Sequence, residues 1–138
     1  MEEQRALREA LKVTDTSLIF FRLLIFGILL SFWSVLIQRD QLCSALSGGD
    51  PSPCPSVYPL KHAAGGITVG CLGFFLCLAF QTWRSACQGS DPEARRSAQV
   101  NLWASILVLS AAILRLENLE FTAGSGQSSS LEEGDLPA

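Results

Sequence analysis

The chain has 138 residues, 49% of them hydrophobic and 17% charged, and a formal net charge of −3. The charges are nearly absent from three apolar stretches and crowd the segments between them, unlike a soluble three-helix bundle, whose helices each show a polar stripe. No basic run points to nucleic acid, and one histidine without zinc-type cysteine spacing supports no usual zinc site.

The fold class this predicts is an all-α membrane protein. It has three transmembrane helices, a short N-terminal amphipathic helix and a disordered C-terminal tail. The reason is length: a hydrocarbon core about 30 Å thick takes about 20 helical residues to cross.

Residues 1–17 are expected to form a cytosolic amphipathic segment, read first as a solvated helical start of the first span, with a helix lying in the membrane interface as the alternative. Leu7 and Leu11 fall one turn apart beside Ala6 and Ala10, with mixed charges opposite. Thr14, Asp15, Thr16 and Ser17 then offer side-chain oxygens to cap the next helix. Residues 18–37 form the first predicted span, interrupted in polarity only by Arg22, Gly27, Ser31 and Ser34. A cleaved signal peptide is the competing reading. An uncleaved signal-anchor is favoured, because the apolar run outlasts a usual h-region and Gln38, Arg39 and Asp40 precede the small residues Cys43, Ser44 and Ala45. Glu2, Glu3 and Glu9 do not suit a mitochondrial presequence.

Residues 38–61 are expected to be an extracytosolic loop. Gly48, Gly49, Pro51, Pro53 and Pro55 rule out a continuing helix there. Cys43 and Cys54 fall in this loop and, in an oxidising compartment, are candidates for a disulfide. Closing so short a loop would stabilise it by about 2–3 kcal/mol in the chain-entropy model.

The second predicted span, residues 62–83, carries the clearest packing signal. Ala63, Gly66, Gly70, Gly73 and Cys77 recur at steps of three and four, with Gly66 and Gly70 forming a GxxxG pair. Small residues let a second backbone approach closely, which matters because apolar burial alone does not drive helices together in lipid. Gly27, Ser31 and Ser34 repeat the spacing in the first span. Either the two stripes pack on each other, or one docks a partner's helix. Cys71 and Cys77 are expected to pack as small apolar residues, and His62 to sit at the interface beside Lys61.

Residues 84–98 form a short cytosolic loop in which Ser90 or Asp91 can cap a helix that starts at Pro92, with Glu93 near its positive end. Cys87, beside Arg84, is a candidate for S-palmitoylation. The third span covers 99–116, and residues 117–138, rich in Gly, Ser and acids, are expected to be a disordered acidic tail.

Basic residues are retained on the cytosolic side during insertion. Three crossings put Arg5, Arg8, Lys12, Arg84, Arg95 and Arg96 on one side and only Arg39, Lys61 and Arg115 on the other. The amino terminus is therefore expected in the cytosol.

Three polar residues fall within the spans near that side: Arg22, Gln81 and Asn101. Such groups often face a bundle interior or a cavity, although Arg22 is close enough to the boundary to snorkel. There is no phosphate loop and no nucleophile motif, so no enzyme, catalytic residue, metal or cofactor is expected. The function expected is that of a small multi-pass structural or adaptor subunit in a secretory-pathway membrane, between endoplasmic reticulum and plasma membrane. Its partners would be the lipid bilayer and other integral membrane proteins. The alternative is a channel or transporter subunit forming a homo-oligomeric pathway.

Overall fold

A computed structural model describes residues 1–49 and 56–132, with side chains to residue 125 in the last helix. These residues form three helices and no strand: α1 (Glu2–Leu46), α2 (Tyr58–Gln88) and α3 (Pro92–Glu132). Each is long and apolar enough to cross a membrane.

The amphipathic segment and the first span are one continuous helix, not two. The hydroxyls expected to cap a break instead bond backward within it. Thr14 Oγ1 donates to the Ala10 carbonyl at 2.9 Å, Thr16 Oγ1 to Lys12 at 2.8 Å and Ser17 Oγ to Val13 at 2.8 Å. Satisfied in this way, they no longer compete for the backbone amides of a new helix start. Helix α1 also runs past residue 37, where the loop was expected to begin, because Gln38–Leu46 holds neither glycine nor proline.

The end of α1 is set by Gly48. It adopts φ +73°, a left-handed conformation that glycine takes without steric cost. The Gly48 amide then bonds to the Ala45 carbonyl at 3.2 Å and the Gly49 amide to Ser44 at 2.9 Å, the paired bonds of a Schellman termination.

Helix α2 opens with Pro59 in its first turn, where a missing amide costs nothing. The junction to α3 matches the sequence expectation. Asp91 Oδ1 accepts from the Glu93 amide at 3.0 Å, capping a helix that starts at Pro92. Arg95 steadies the turn by donating to the Gly89 carbonyl at 3.3 Å.

The far end of α3 departs from expectation. The residues predicted to be disordered from 117 onward are helical through Glu132. Leu116–Phe121 holds no breaker, and Thr122 and Ser125 direct their hydroxyls to the carbonyls of Asn118 and Phe121, at 2.7 and 3.0 Å. The residues most prone to leave a helix are thereby tied into it. The last six positions, 133–138, lie outside the described residues.

Helix α2 is central. It packs against α1 on one side and α3 on the other, while α1 and α3 do not meet among the described residues. The α1–α2 contact is built on small groups and rings. A Cβ at Gly27 would lie 3.2 Å from Ile67 Cγ2 and 3.6 Å from the Ala64 carbonyl, so glycine permits the approach. Phe20 stacks on Phe74 with centroids 3.8 Å apart, and Phe21 meets Phe75 at 4.6 Å. Ser34, Ala64, Cys71 and Ala79 are buried. On the other side, Gly65 lies beneath Leu116, whose Cδ1 would be 2.8 Å from an added Cβ. Beyond it His62 Nε2 meets Glu120 Oε1 at 2.9 Å.

Outside these two seams the helices expose large apolar side chains, among them Ile19, Ile25, Phe26, Ile28, Phe32, Trp33 and Leu107. Contiguous apolar surface of that extent is uncommon on a monomer in water and marks an apolar environment or an interaction surface.

Candidate functional site: two free faces of the central helix

With α1 and α3 on two of its sides, α2 keeps two faces uncovered. One is the small-residue stripe. Nothing lies within 4 Å of a Cβ built at Gly66, Gly70 or Gly73, and Ala63, Gly66, Gly70 and Cys77 are exposed. The stripes of α1 and α2 therefore do not pack on each other. Gly27 on α1 is used, but it meets Ala64 and Ile67, one side round from the stripe. Ser34 is buried with its Oγ donating to the Ser31 carbonyl at 2.7 Å, whereas Ser31 itself is exposed.

The small residues of α2 that do carry packing are Ala64, Gly65, Cys71 and Ala79. Their signal was present in the sequence as a second set of small residues, Ala64, Cys71 and Ala79 at successive steps of seven and eight, with Gly65 beside the first. The neighbouring glycines were simply more conspicuous.

The second free face is a groove of about 620 Å³ between α1 and α3, with α2 as its floor. The floor is Lys61, Gly65, Thr68 and Leu72, four positions on one side of a 3.6-residue helix and nearly opposite the glycine stripe. Ser31, Ser34 and Val35 form one wall. Val108, Ala112, Arg115 and Leu116 are among the residues of the other. Of its three lining hydroxyl residues, Thr68 is satisfied by the Ala64 carbonyl at 2.8 Å and Ser34 by the Ser31 carbonyl, while Ser31 is exposed.

The three polar residues expected within the spans are not brought together. Arg22 is exposed on α1. Gln81 lines a separate cleft of about 750 Å³ between α2 and α3, with Cys77, Phe80, Trp83, Gln99 and Trp103. Asn101 lies on a shallow face of α3 with Glu93, Arg96 and Ser97. Because α1 and α3 do not meet, Arg22 and Asn101 share no surface within one chain.

Of the cysteines, Cys43 is an exposed free thiol on the last turns of α1, and its expected disulfide partner Cys54 lies outside the described residues. Cys87 is an exposed free thiol at the end of α2, two residues before the Gly89 cap. Cys71 is buried, whereas Cys77 is exposed. Among the described residues no three His, Cys, Asp or Glu side chains converge on a metal position.

What this arrangement offers is surface: one stripe that a backbone can approach, and one apolar groove with two cations at its end. The chain matches no protein-family model, no curated protein and no solved structure.

Proposed function

We propose that the chain is a three-span integral membrane protein of the secretory pathway, amino terminus in the cytosol, acting as a non-enzymatic structural or adaptor subunit of a larger membrane complex. The observation that supports this reading is the open stripe Ala63, Gly66, Gly70 and Gly73, which neither α1 nor α3 occupies. In lipid there is no hydrophobic penalty for leaving a helix face bare. A row of small residues gives such a face a reason to meet another helix, through close backbone approach and van der Waals contact. The basic residues of the amino-terminal segment and of the α2–α3 turn support the orientation.

Gly70→Ile tests the reading. A Cβ there has open space around it, so abundance should stay near the wild-type level while co-purification of the partner from mild detergent is lost. Unchanged association would remove the stripe from the reading. A defined homo-oligomer without foreign partners would favour the pathway-forming alternative.

A further inference from the structure

We propose that the groove between α1 and α3 is a binding site for one anionic phospholipid, with an acyl chain on the floor of α2 and the phosphate held by Lys61 and Arg115. The inference rests on the membrane-spanning reading above, which places Lys61 and Arg115 at the extracytosolic interface.

Dimensions come first. The rise along α2 from Lys61 to Leu72 is about 16 Å at about 1.5 Å per residue, close to half of a hydrocarbon core about 30 Å thick. The groove therefore starts at one interface and ends near the bilayer midplane. Over that depth the groove encloses about 620 Å³, and an acyl chain lying along α2 fits within it.

The lining agrees. Thr68 and Ser34 have spent their hydroxyls on backbone carbonyls, and the depth of the groove presents Leu72, Val108 and Ala112, with few free hydrogen-bonding groups. A polar solute would lose its hydration there without replacement. An acyl chain loses none.

The charges then choose the headgroup. Lys61 and Arg115 both line the groove, and neither makes an ion pair among the described residues. The nearest acid across this seam, Glu120, is held by His62 at 2.9 Å. The Cα–Cβ bond of Arg115 tilts toward the amino end of α3, which on this topology points into the membrane. From there the long side chain turns back along the groove wall to bring its guanidinium to the interface, where a phosphate supplies the anion it needs. Two cations favour an anionic headgroup over choline, whose ammonium they repel.

The test is native mass spectrometry of the full chain after exchange into mixed micelles containing phosphatidylglycerol and phosphatidylcholine in equal amounts. The wild-type chain should retain one phosphatidylglycerol in preference to phosphatidylcholine. Each basic side chain near a lipid surface contributes about fivefold to the attraction of anionic lipid, so Lys61→Ala with Arg115→Ala should lower that retention roughly 30-fold. Thr68→Phe, which fills the slot without touching charge, should lower retention of both lipids. Lys12→Ala with Arg84→Ala removes equal charge elsewhere and should leave retention unchanged.

Equal retention of both lipids by the wild-type chain, or undiminished phosphatidylglycerol in the charge variant, would overturn the site. So would a photo-crosslinker at Thr68 that captures another protein's helix. Release of the chain by alkaline carbonate would sink the membrane-spanning reading itself. A carbonate-resistant chain that retains no lipid would sink only the phospholipid.

Discussion

Glycines 27 and 70 look alike in the sequence, each a small residue on a predicted span, yet they stand in opposite surroundings, and a leucine at each position measures the difference. At Gly27 the first added carbon already lies 3.2 Å from Ile67 Cγ2, tighter than ordinary contact, and 3.6 Å from the Ala64 carbonyl. The remaining side chain has to displace Ile67 and pry α1 from α2. Overpacking of this kind costs about 1–3 kcal/mol. At Gly70 nothing lies within 4 Å of that first carbon, so the same leucine starts in open space. Both substitutions also gain intrinsic helix propensity, up to about 1 kcal/mol in water. Comparing the two variants cancels that gain and leaves the packing term. Reversible unfolding of the purified chain in mixed detergent micelles, where no partner is present, should show Gly27→Leu less stable than Gly70→Leu by about 1–3 kcal/mol. Gly27→Ala should fall near the wild-type value, because one tight methyl contact and the propensity gain oppose each other. Equal stability of the two leucine variants would mean that Gly27 does not hold α1 against α2, and the helix row would need a different seam.

Two further predictions bear on orientation and on the first loop. Tags at the two ends should show opposite accessibility to protease in sealed vesicles, the amino-terminal tag being the cytosolic one; equal accessibility would mean an even number of crossings and would move the groove to another interface. Cys43, exposed and free at the end of α1, should react with an impermeant maleimide from the extracytosolic side without reductant; labelling that requires reductant would instead put it in the disulfide with Cys54 that the loop composition suggests.

Much of this architecture was legible in the sequence, for identifiable reasons. The three long helices follow from apolar stretches too long and too poor in charge to be anything else. The start of α3 follows from Asp91 and Pro92, a cap and a first-turn proline whose roles are local. The boundaries were harder. Thr14, Thr16 and Ser17 have the chemistry of caps, but the same hydroxyls can bond back four residues, and only the surrounding helix decides which occurs. The same ambiguity misplaced the end of α3, where Thr122 and Ser125 bond backward.

The faces were harder still. In a soluble protein a buried face announces itself by hydrophobic periodicity, but in a span every face is apolar. A glycine facing a neighbour and a glycine facing outward then look the same, as Gly65 and Gly66 show: one lies beneath Leu116 and its neighbour has open space around it. The groove was not legible either. Lys61 and Arg115 are 54 positions apart, and only the antiparallel pairing of α2 with α3, pinned by Gly65 beneath Leu116, brings them to one end of it.

The open arrangement has a physical reason that links both proposed surfaces. In water, three amphipathic helices close into a bundle because exposed apolar area costs about 25 cal/mol per Å². In lipid that cost vanishes, and a seam forms only where backbones can approach or groups can bond. Helix α1 has such a seam toward α2 at Gly27 and the stacked Phe20 and Phe74. Helix α3 has one at Leu116 over Gly65 and at Glu120 with His62. The groove walls include Ser31, Ser34 and Val35 on α1 and Val108, Ala112 and Arg115 on α3, with neither a glycine nor an opposite charge to draw them together. Closing the row would bury Arg115 against an apolar wall with no carboxylate to receive it, which costs more than dispersion between the walls returns. The same cation that keeps the groove open is the one proposed to hold a headgroup in it, while the glycine stripe on the far side of α2 stays uncovered by α1 and α3.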